Sequence, residues 1–402
     1  MIKAIAFVID EHKIIKPLEQ IEGLEIEYVI VDETFQFSLP YPDIVLTVSD
    51  WRAEIARVLL DAKTLNIPSL LFQDGTLDWI IQNEGELYGG TGGPTHFHPI
   101  LTDKMAVIGH QSARIIASWN DASKVEVVGF PILQNEINEA KISRTNIKQV
   151  TDKPLNVLIT STRQGWFCER QKIAFIEAIQ DLKTYFEQHK NISVNWRLSR
   201  NLAEIIGVEN EMKVKESVEL VPLIKEADLI ISAQSTVVVE AMIQGKPVAI
   251  IDYLNAPQYY GTAWMINAKH QIASTIESMI KAEPNRMLYQ AYQLQDILSM
   301  ELNAIERSKE LIEKMVQFRK ENNSIDFPAN LLNFNEPFQT IQHAFTTQDI
   351  FPAVAKNYEI QKEDLAKLVT RYSHENKRLK EELAKKSFLQ FIIQLKNKFF
   401  KK

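Results

Sequence analysis

The alternation of short apolar runs with longer helical patterns is the sequence feature that most restricts the fold of this chain. Through residues 1–145, β-rich runs such as IKAIAFVI, DIVLTVS and SLLFQ alternate with helical patterns, one of them at 51–65. This order is typical of parallel βαβ units. After a polar stretch at 135–153, the same order starts again with PLNVLITST and continues to PVAII. We therefore predict an α/β protein with two Rossmann-like domains, 1–145 and 151–325, that face each other across a cleft.

The composition fits a folded protein and limits its partners. The net charge of −7 argues against nucleic-acid binding, because proteins that follow phosphate backbones usually display a basic face. The single cysteine, Cys168, excludes a disulfide framework and fits a reducing compartment. No run approaches the roughly 20 apolar residues of a membrane span, and the first residues lack the features of a secretory signal. We therefore expect a cytoplasmic location.

Beyond the second domain, the sequence predicts an irregular connection at 326–358 and a helical extension at 359–402. Apolar residues recur there at alternating spacings of four and three, which is typical of a short coiled coil. This seam consists of Leu365, Val369, Tyr372, Asn376, Leu379 and Leu383. A homodimer paired through 365–383 would explain it, and a helix packed on its own domain is the alternative.

The last residues have the composition of a membrane-binding tail. Residues 385–402 contain six lysines and no acid, interleaved with phenylalanine, leucine and isoleucine. Lysine is attracted to anionic lipid, and the apolar side chains add burial at the membrane interface. We expect this tail to adsorb to the anionic inner face of the plasma membrane without spanning it. Docking on another protein or subunit is the alternative.

The strongest local signal lies at 227–251 and reads as strand, turn, helix and strand. The turn puts Ser235 and Thr236 at a helix amino terminus, where free backbone N–H groups and the helix dipole attract phosphate. Glu240 follows one helical turn later and has the carboxylate that binding a ribose diol requires. The alternative is a capped helix with a surface glutamate.

This segment resembles the donor-binding motif of GT-B glycosyltransferases and of the non-hydrolysing nucleotide-sugar 2-epimerases. In these families a serine or glycine pair precedes a glutamate and then G-K-P. The matching residues here are Ser235, Thr236, Glu240, Gly245, Lys246 and Pro247. The resemblance implies the GT-B fold, with phosphate contacts from the first two residues and a ribose contact from Glu240. It also implies that the strand starting the second domain ends at the sugar donor, so Ser161 and Arg163 are further diphosphate-binding candidates.

On the first domain, the segment PDIVLTVSDWRAEIARVLLDAKTLNIPSLLFQDG resembles the epimerase and transferase pattern of strand, aspartate, helix and strand with an acid-Gly loop. Asp50 and Asp74 would end neighbouring strands and face one crevice. Gln73-Asp74-Gly75 resembles the acid-Asp-Gly motif of bacterial sialyltransferases and Kdo transferases, where the aspartate deprotonates the acceptor. Asp74 is therefore our candidate base. Asp50 and Gly75 are acceptor-side candidates, and an ordinary Asp-Gly turn is the alternative.

A glycine-rich loop at 87–99 follows and contains two histidines, His96 and His98. Loops at strand ends often carry function, so His98 is a candidate for proton transfer and His96 for acceptor binding, with structural roles as the alternative. We expect no metal site, because no acidic or cysteine partner has matching spacing.

A transferase fits these features better than an epimerase. Where nucleotide-sugar epimerases carry G-x-R-P-E after the first strand, this chain has Ile9, Asp10, Glu11 and His12. The segment at 95–133 also resembles capsule polysaccharide transferases and the glycerophosphotransferases of teichoic acid synthesis. We therefore expect a metal-independent GT-B glycosyltransferase of bacterial surface polysaccharide synthesis (capsule or O-antigen). It would use a nucleotide-sugar donor, a glycan or lipid-linked acceptor and no cofactor. The alternatives are a nucleotide-sugar 2-epimerase, a polyol-phosphate transferase of the CDP-glycerol type and a non-enzymatic assembly platform.

Overall fold

The structure is a computed structural model, and it describes residues 1–8, 14–50, 52–84, 97–143, 155–162, 166, 168–212, 220–332 and 378. Most of the predicted site residues lie in these ranges, whereas His96 and Arg163 lie outside them. The predicted coiled-coil seam and the basic tail also lie outside the described residues. In the described part of the chain, no helix combines the length and the apolar character needed to cross a membrane.

The first sheet is made of parallel strands. In chain order they are β1 (Ile2–Val8), β2 (Leu24–Ile30), β3 (Ile44–Thr47), β4 (Ser69–Phe72), β5 (Lys104–Val107) and β6 (Val125–Val127). Across the sheet their order is β2-β1-β3-β4-β5-β6. The helices of this half are α1 (Ala53–Thr64), α2 (Trp79–Glu84), α3 (His110–Trp119) and α4 (Gln134–Ser143). Every residue of β3, β4 and β5 is buried, as in a parallel sheet covered on both faces.

The second sheet repeats this arrangement. Its parallel strands are β7 (Leu155–Thr160), β8 (Ile192–Arg197), β9 (Leu229–Ser232), β10 (Val248–Ile251) and β11 (Trp264–Ile266), in the order β11-β10-β9-β7-β8. Its helices are α5 (Glu169–Gln188), α6 (Arg200–Ile206), α7 (Leu220–Glu226), α8 (Thr236–Ile243) and α9 (Ile272–Lys281). The predicted fold class, two Rossmann-like α/β domains, is confirmed.

Two further helices connect the domains. The helices α10 (Pro284–Leu298) and α11 (Ala304–Asn322) follow the second sheet. Leu294 and Ile297 of α10 share a buried cluster with α8 and with Ile108 of the first domain. Leu311 and Met315 of α11 pack on the first sheet instead. The last described helix therefore returns to the first domain, although the predicted range 151–325 would include it in the second.

A close approach of two backbones fixes the contact between the domains. Gly109 lies just before α3, and a Cβ atom at this position would lie 2.1 Å from the carbonyl oxygen of Ile297. Only glycine permits this distance. Beside it, the Gln111 amide donates to the Tyr259 carbonyl at 2.7 Å, and Arg114 forms a salt bridge with Asp296. The first domain therefore rests directly on α10.

A buried ion pair holds the segment that follows α11. The Lys104 ammonium lies 2.7 Å from Glu126, and both side chains are 1% exposed. Lys104 also donates to the Pro328 carbonyl at 2.8 Å, and Glu126 accepts from the Leu331 N–H at 2.8 Å. Burying either charge alone would cost several kcal/mol. Here each charge has partners that compensate it. The described segment after α11 is therefore fixed to the first domain as far as Leu332.

Candidate functional site

The turn between β9 and α8 leaves the amino terminus of a helix without a side-chain cap. All residues of β9 are buried, and Ser235 is the extended N-cap residue of α8. The Ser235 side chain makes no capping hydrogen bond, so it does not occupy the N–H groups of the first turn. Its hydroxyl lies 3.3 Å from the Ser232 hydroxyl instead. An anionic ligand would therefore meet backbone N–H groups and the positive end of a helix dipole.

The G-K-P part of the motif has a structural role. Gly245 ends α8 with a positive φ of 67°, a conformation that favours glycine. The next residue, Lys246, donates to the carbonyls of Lys225 and Ala227 at 2.9 and 2.6 Å. Lys246 therefore binds the carboxyl-terminal end of α7 and the segment after it, where a cation is favourable.

Three charged groups meet beside α8. Glu240 lies one turn after Thr236, and its pKa is raised to about 7 by burial and by the charge of Glu136, while Arg197 acts in the opposite direction. Arg197 is the last residue of β8, and Glu136 lies on α4. The sequence alone indicates neither Arg197 nor Glu136 as a site residue. Arg197 does end a β-rich run, so a strand-end rule could have found it, but Glu136 lies in a polar stretch without a motif.

Hydroxyl groups tie the carboxyl ends of β7, β8 and β9 together. The Thr160 hydroxyl donates to Ser232 at 2.7 Å. Ser161 is nearly buried, and its hydroxyl donates to the Thr162 carbonyl at 3.0 Å while accepting from the Ser199 N–H at 2.8 Å. The structure thus brings Ser161 to the same sheet edge as Ser235, although the Ser161 hydroxyl is engaged within the protein. Arg163 lies outside the described residues.

The loop that follows β4 reaches across the cleft to α8. A Cβ atom on Gly75 would lie only 3.2 Å from the Thr236 hydroxyl. Gln234 donates to the Leu77 carbonyl at 3.1 Å. The structure therefore brings the Asp-Gly loop of the first domain onto the amino terminus of α8. Asp74 itself is exposed beside this contact.

A buried tyrosine links both sides of this contact. The Tyr260 hydroxyl lies 3.3 Å from the Thr76 hydroxyl and donates to the Ser235 carbonyl at 3.2 Å. On the first domain, buried Gln73 supports the loop by donating to the Gly75 carbonyl at 2.6 Å and accepting from the Ile108 N–H at 3.1 Å. Hydrogen bonds from buried side chains therefore fix both the Asp-Gly loop and the turn before α8.

The other acceptor-side candidates lie apart from this contact. Asp50 is 1% exposed, and its carboxylate accepts from the Leu101 N–H at 2.8 Å, which fixes the turn that contains His98. Asn120 holds the same turn by donating to the Phe97 carbonyl at 2.9 Å. The structure gives Asp50 an internal partner and does not group it with Asp74. His98 is partly exposed, and His96 lies outside the described residues.

A narrow crevice between the domains contains two acidic side chains. Asp78 caps α2 by accepting from the Ile80 N–H at 2.7 Å, and it lines the crevice together with Asp252 from the end of β10. The interior volume is about 20 Å³, which is room for a single water molecule. Burial raises the pKa of Asp78 to about 6, and the charge of Asp252 adds to this effect. Among the described residues, no group of three or more acidic, histidine or cysteine side chains forms a metal site.

Comparison with known proteins identifies the fold. No protein-family model and no curated protein matches the chain. A UDP-GlcNAc 2-epimerase from Neisseria meningitidis, solved with UDP-GlcNAc, is similar with 13% identity and a TM-score of 0.52, covering 78% of this chain and 99% of its own. S. aureus MnaA, solved with UDP, has 14% identity and a TM-score of 0.51, covering 82% and 99%. A putative UDP-N-acetylglucosamine 2-epimerase from Listeria monocytogenes has 12% and 0.50, covering 80% and 97%. Such low identities show the fold alone, which is the two-domain GT-B fold.

The raised pKa of Asp78 predicts a pH-dependent stability. A carboxyl group whose pKa is raised by folding destabilises the fold when it ionises. The contribution of Asp78 to the free energy of unfolding is therefore lost as the pH rises from about 4 through about 6. Asp78→Asn keeps the helix cap and removes the charge. In urea unfolding we expect the variant to be more stable than the native protein at pH 8 by about 1–3 kcal/mol, and this gain to vanish towards pH 4.

Asp121 supplies a matched control. It caps a turn by accepting from the Ser123 N–H at 2.9 Å, but it lies at the surface, and hydrogen bonds from the Ser123 side chain and N–H lower its pKa. Asp121→Asn should therefore give no stabilisation at pH 8. An equal gain for Asp78→Asn at pH 4 and pH 8 would contradict the role of its ionisation.

Proposed function

We propose that the protein is a glycosyltransferase that moves a sugar from a nucleotide-sugar donor to a glycan or lipid-linked acceptor in bacterial surface polysaccharide synthesis. The observation that carries this proposal is the contact of the Asp74-Gly75 loop with the amino terminus of α8. In this proposal, one wall of the cleft carries the base and the other carries the phosphate site. The proteins of similar fold, solved with UDP or UDP-GlcNAc, support a nucleotide-sugar as the donor.

The sugar donor would lie along α8 in this proposal. Its diphosphate would bind the N–H groups of the first turn and the hydroxyls of Ser235 and Thr236, where the helix dipole favours negative charge. Ser161 and Arg163 would complete the diphosphate site at the end of β7. Glu240 would accept hydrogen bonds from the ribose. A metal ion is not required, because the N–H groups supply the positive potential.

The transfer itself would use Asp74 from the opposite wall. Its exposed carboxylate would take the proton of the acceptor hydroxyl. The acceptor oxygen then forms a bond to the anomeric carbon as the bond from that carbon to the diphosphate oxygen breaks. The nucleoside diphosphate leaves with the bonding electron pair, and the amino terminus of α8 stabilises the negative charge. Gly75 suits this approach, because a Cβ atom there would lie only 3.2 Å from the Thr236 hydroxyl.

A nucleotide-sugar 2-epimerase is the second candidate, because the similar structures are epimerases. The two activities differ in what they release. An epimerase isomerises the sugar of UDP-GlcNAc without any acceptor, whereas a transferase releases nucleoside diphosphate in proportion to the acceptor consumed. Product analysis with and without a glycan acceptor therefore separates them, and isomerised UDP-GlcNAc in the absence of acceptor would favour the epimerase.

The assigned roles predict different kinetic effects for Asp74 and Glu240. Asp74→Asn should lower turnover by about 10²–10⁴-fold, because a general base is lost, while the dissociation constant of the sugar donor stays the same. Glu240→Ala should weaken binding of that donor instead. Release of nucleoside diphosphate measures turnover, and calorimetry with UDP-, CDP- and GDP-sugars measures binding.

Asp61→Asn is the control, because Asp61 lies on the surface of α1, where it pairs with Arg57. This variant should retain native turnover. Full turnover by Asp74→Asn would refute its role as the base. Absence of binding to every nucleotide-sugar would refute the donor site.

We also propose that residues 385–402 bring the enzyme to an anionic membrane surface, where a lipid-linked acceptor would lie. Support comes from the lysine-rich, acid-free composition of this segment.

Removal of the tail tests this proposal. A chain ending at residue 384 should no longer sediment with vesicles rich in phosphatidylserine, since the lysines that attract anionic lipid are gone, and its melting temperature should be unchanged. Vesicles of phosphatidylcholine are the control and should bind neither chain. Unchanged sedimentation of the shortened chain with anionic vesicles would exclude the tail as the membrane contact.

A further inference from the structure

Glu240, beside the proposed sugar-donor site, is subject to the charge of a second glutamate, Glu136, from another helix. Helix α4 packs on α8, and Ile137 of α4 lies in the same buried cluster as Val239 and Ile243 of α8. Glu136 comes directly before Ile137, and Glu240 comes directly after Val239. The charge of Glu136 raises the pKa of Glu240. Apolar contacts therefore hold the two helices together, and the carboxylates are not needed for this packing.

One carboxylate oxygen of Glu136, Oε2, is buried without a hydrogen-bond partner among the described residues. A buried carboxylate oxygen without a hydrogen bond is costly, and a second carboxylate nearby increases the cost. Arg197 is the cation that faces Glu240 from the end of β8, and its effect is smaller than that of Glu136. The unsatisfied Glu136 oxygen therefore favours a ligand that supplies an O–H group, and the Glu240 carboxylate can accept a second one.

The position of the pair along α8 matches one part of a nucleotide. Glu240 lies four residues after Thr236, so both side chains are on the same face of the helix. Four residues of α-helix advance by about 6 Å. A diphosphate bound at the first turn would thus have its ribose next to the two glutamates, and a ribose presents two neighbouring hydroxyl groups.

We propose that Glu136 is a second ribose-binding residue, so that Glu136 and Glu240 each accept one hydroxyl of the vicinal diol. This inference rests on the proposed nucleotide-sugar site and specifies how that site recognises a ribonucleotide. A nucleotide without one of the hydroxyls leaves a buried carboxylate unsatisfied, which sites of this kind reject strongly. The structure thus assigns to α4 a part in the choice of substrate.

The test compares nucleotides that differ by one hydroxyl. The nucleoside diphosphate that binds best among UDP, CDP and GDP is titrated against the full chain beside its 2′-deoxy and 3′-deoxy forms. We expect the native protein to prefer the ribonucleotide by about 10–100-fold over each deoxy form. Glu136→Ala should lose this preference against one deoxy form and keep it against the other. Unchanged preferences in Glu136→Ala would overturn the inference.

Two further measurements separate a ribose contact from a structural effect. Glu139 lies on the exposed side of α4 and pairs with Lys225, so Glu139→Gln should keep both preferences. Glu136→Gln should move the pH dependence of nucleotide binding to lower pH, because Glu240 then ionises without a neighbouring charge. The nucleotide's own titration is the same for all variants. An unshifted pH profile would count against the pairing of Glu136 with Glu240.

Failure of this inference can be told apart from failure of the proposed function. Binding of no nucleotide by the native protein overturns the sugar-donor site and with it the inference. Loss of ribose preference in Glu240→Ala but not in Glu136→Ala leaves the sugar-donor site intact and removes only Glu136 from it.

Discussion

The contact of the Asp74-Gly75 loop with the first turn of α8 is the constraint on which the rest of the site depends. Each sheet is parallel, so the carboxyl ends of its strands gather at one edge, and the Asp74-Gly75 loop and the first turn of α8 lie at two such edges. Gly75 allows the two edges to meet, since a side chain at this position would press on Thr236. Gly109 allows α10 to lie against α3 on the same side. The two domains are thus joined by one approach of two backbones, at Gly109, and by one close contact with a side chain, at Gly75.

The electrostatics of the cleft follow from the close packing around its acidic side chains. Burial between the domains raises the pKa of Asp78 to about 6, and burial beside α4 raises the pKa of Glu240 to about 7. Carboxylates therefore remain near their titration range around neutral pH. The open amino terminus of α8 and Arg197 provide the opposite potential. Such a cleft suits a ligand that is anionic at one end and rich in hydroxyl groups at the other.

Much of the fold and part of the site follow from the sequence. The alternation of short and long patterns predicts both sheets, because parallel strands connected by helices have a strong local signature. The turn at Ser235 and the position of Glu240 follow from helix geometry alone. The rule that parallel strands end at one edge predicts that the Asp74 loop lies at the edge of the first sheet, but not its contact with α8.

The remaining features depend on contacts between distant segments, which no local pattern contains. An aspartate after a strand looks the same whether it faces a ligand or, like Asp50, bonds a backbone N–H group. The sequence likewise cannot distinguish a phosphate-binding lysine from Lys246, which caps α7. Glu136 comes near the proposed sugar-donor site only because α4 packs on α8. The return of α11 to the first domain depends on the same kind of tertiary packing.

A crystal structure of the protein with its best-binding nucleoside diphosphate tests the central claim most directly. The claim is that α8 carries the nucleotide. The account predicts that the diphosphate lies within hydrogen-bond distance of the backbone N–H groups at Thr236, with the ribose against Glu240 and the Asp74 loop facing the terminal phosphate. A nucleotide bound elsewhere, or one whose phosphates lie away from the first turn of α8, would contradict it.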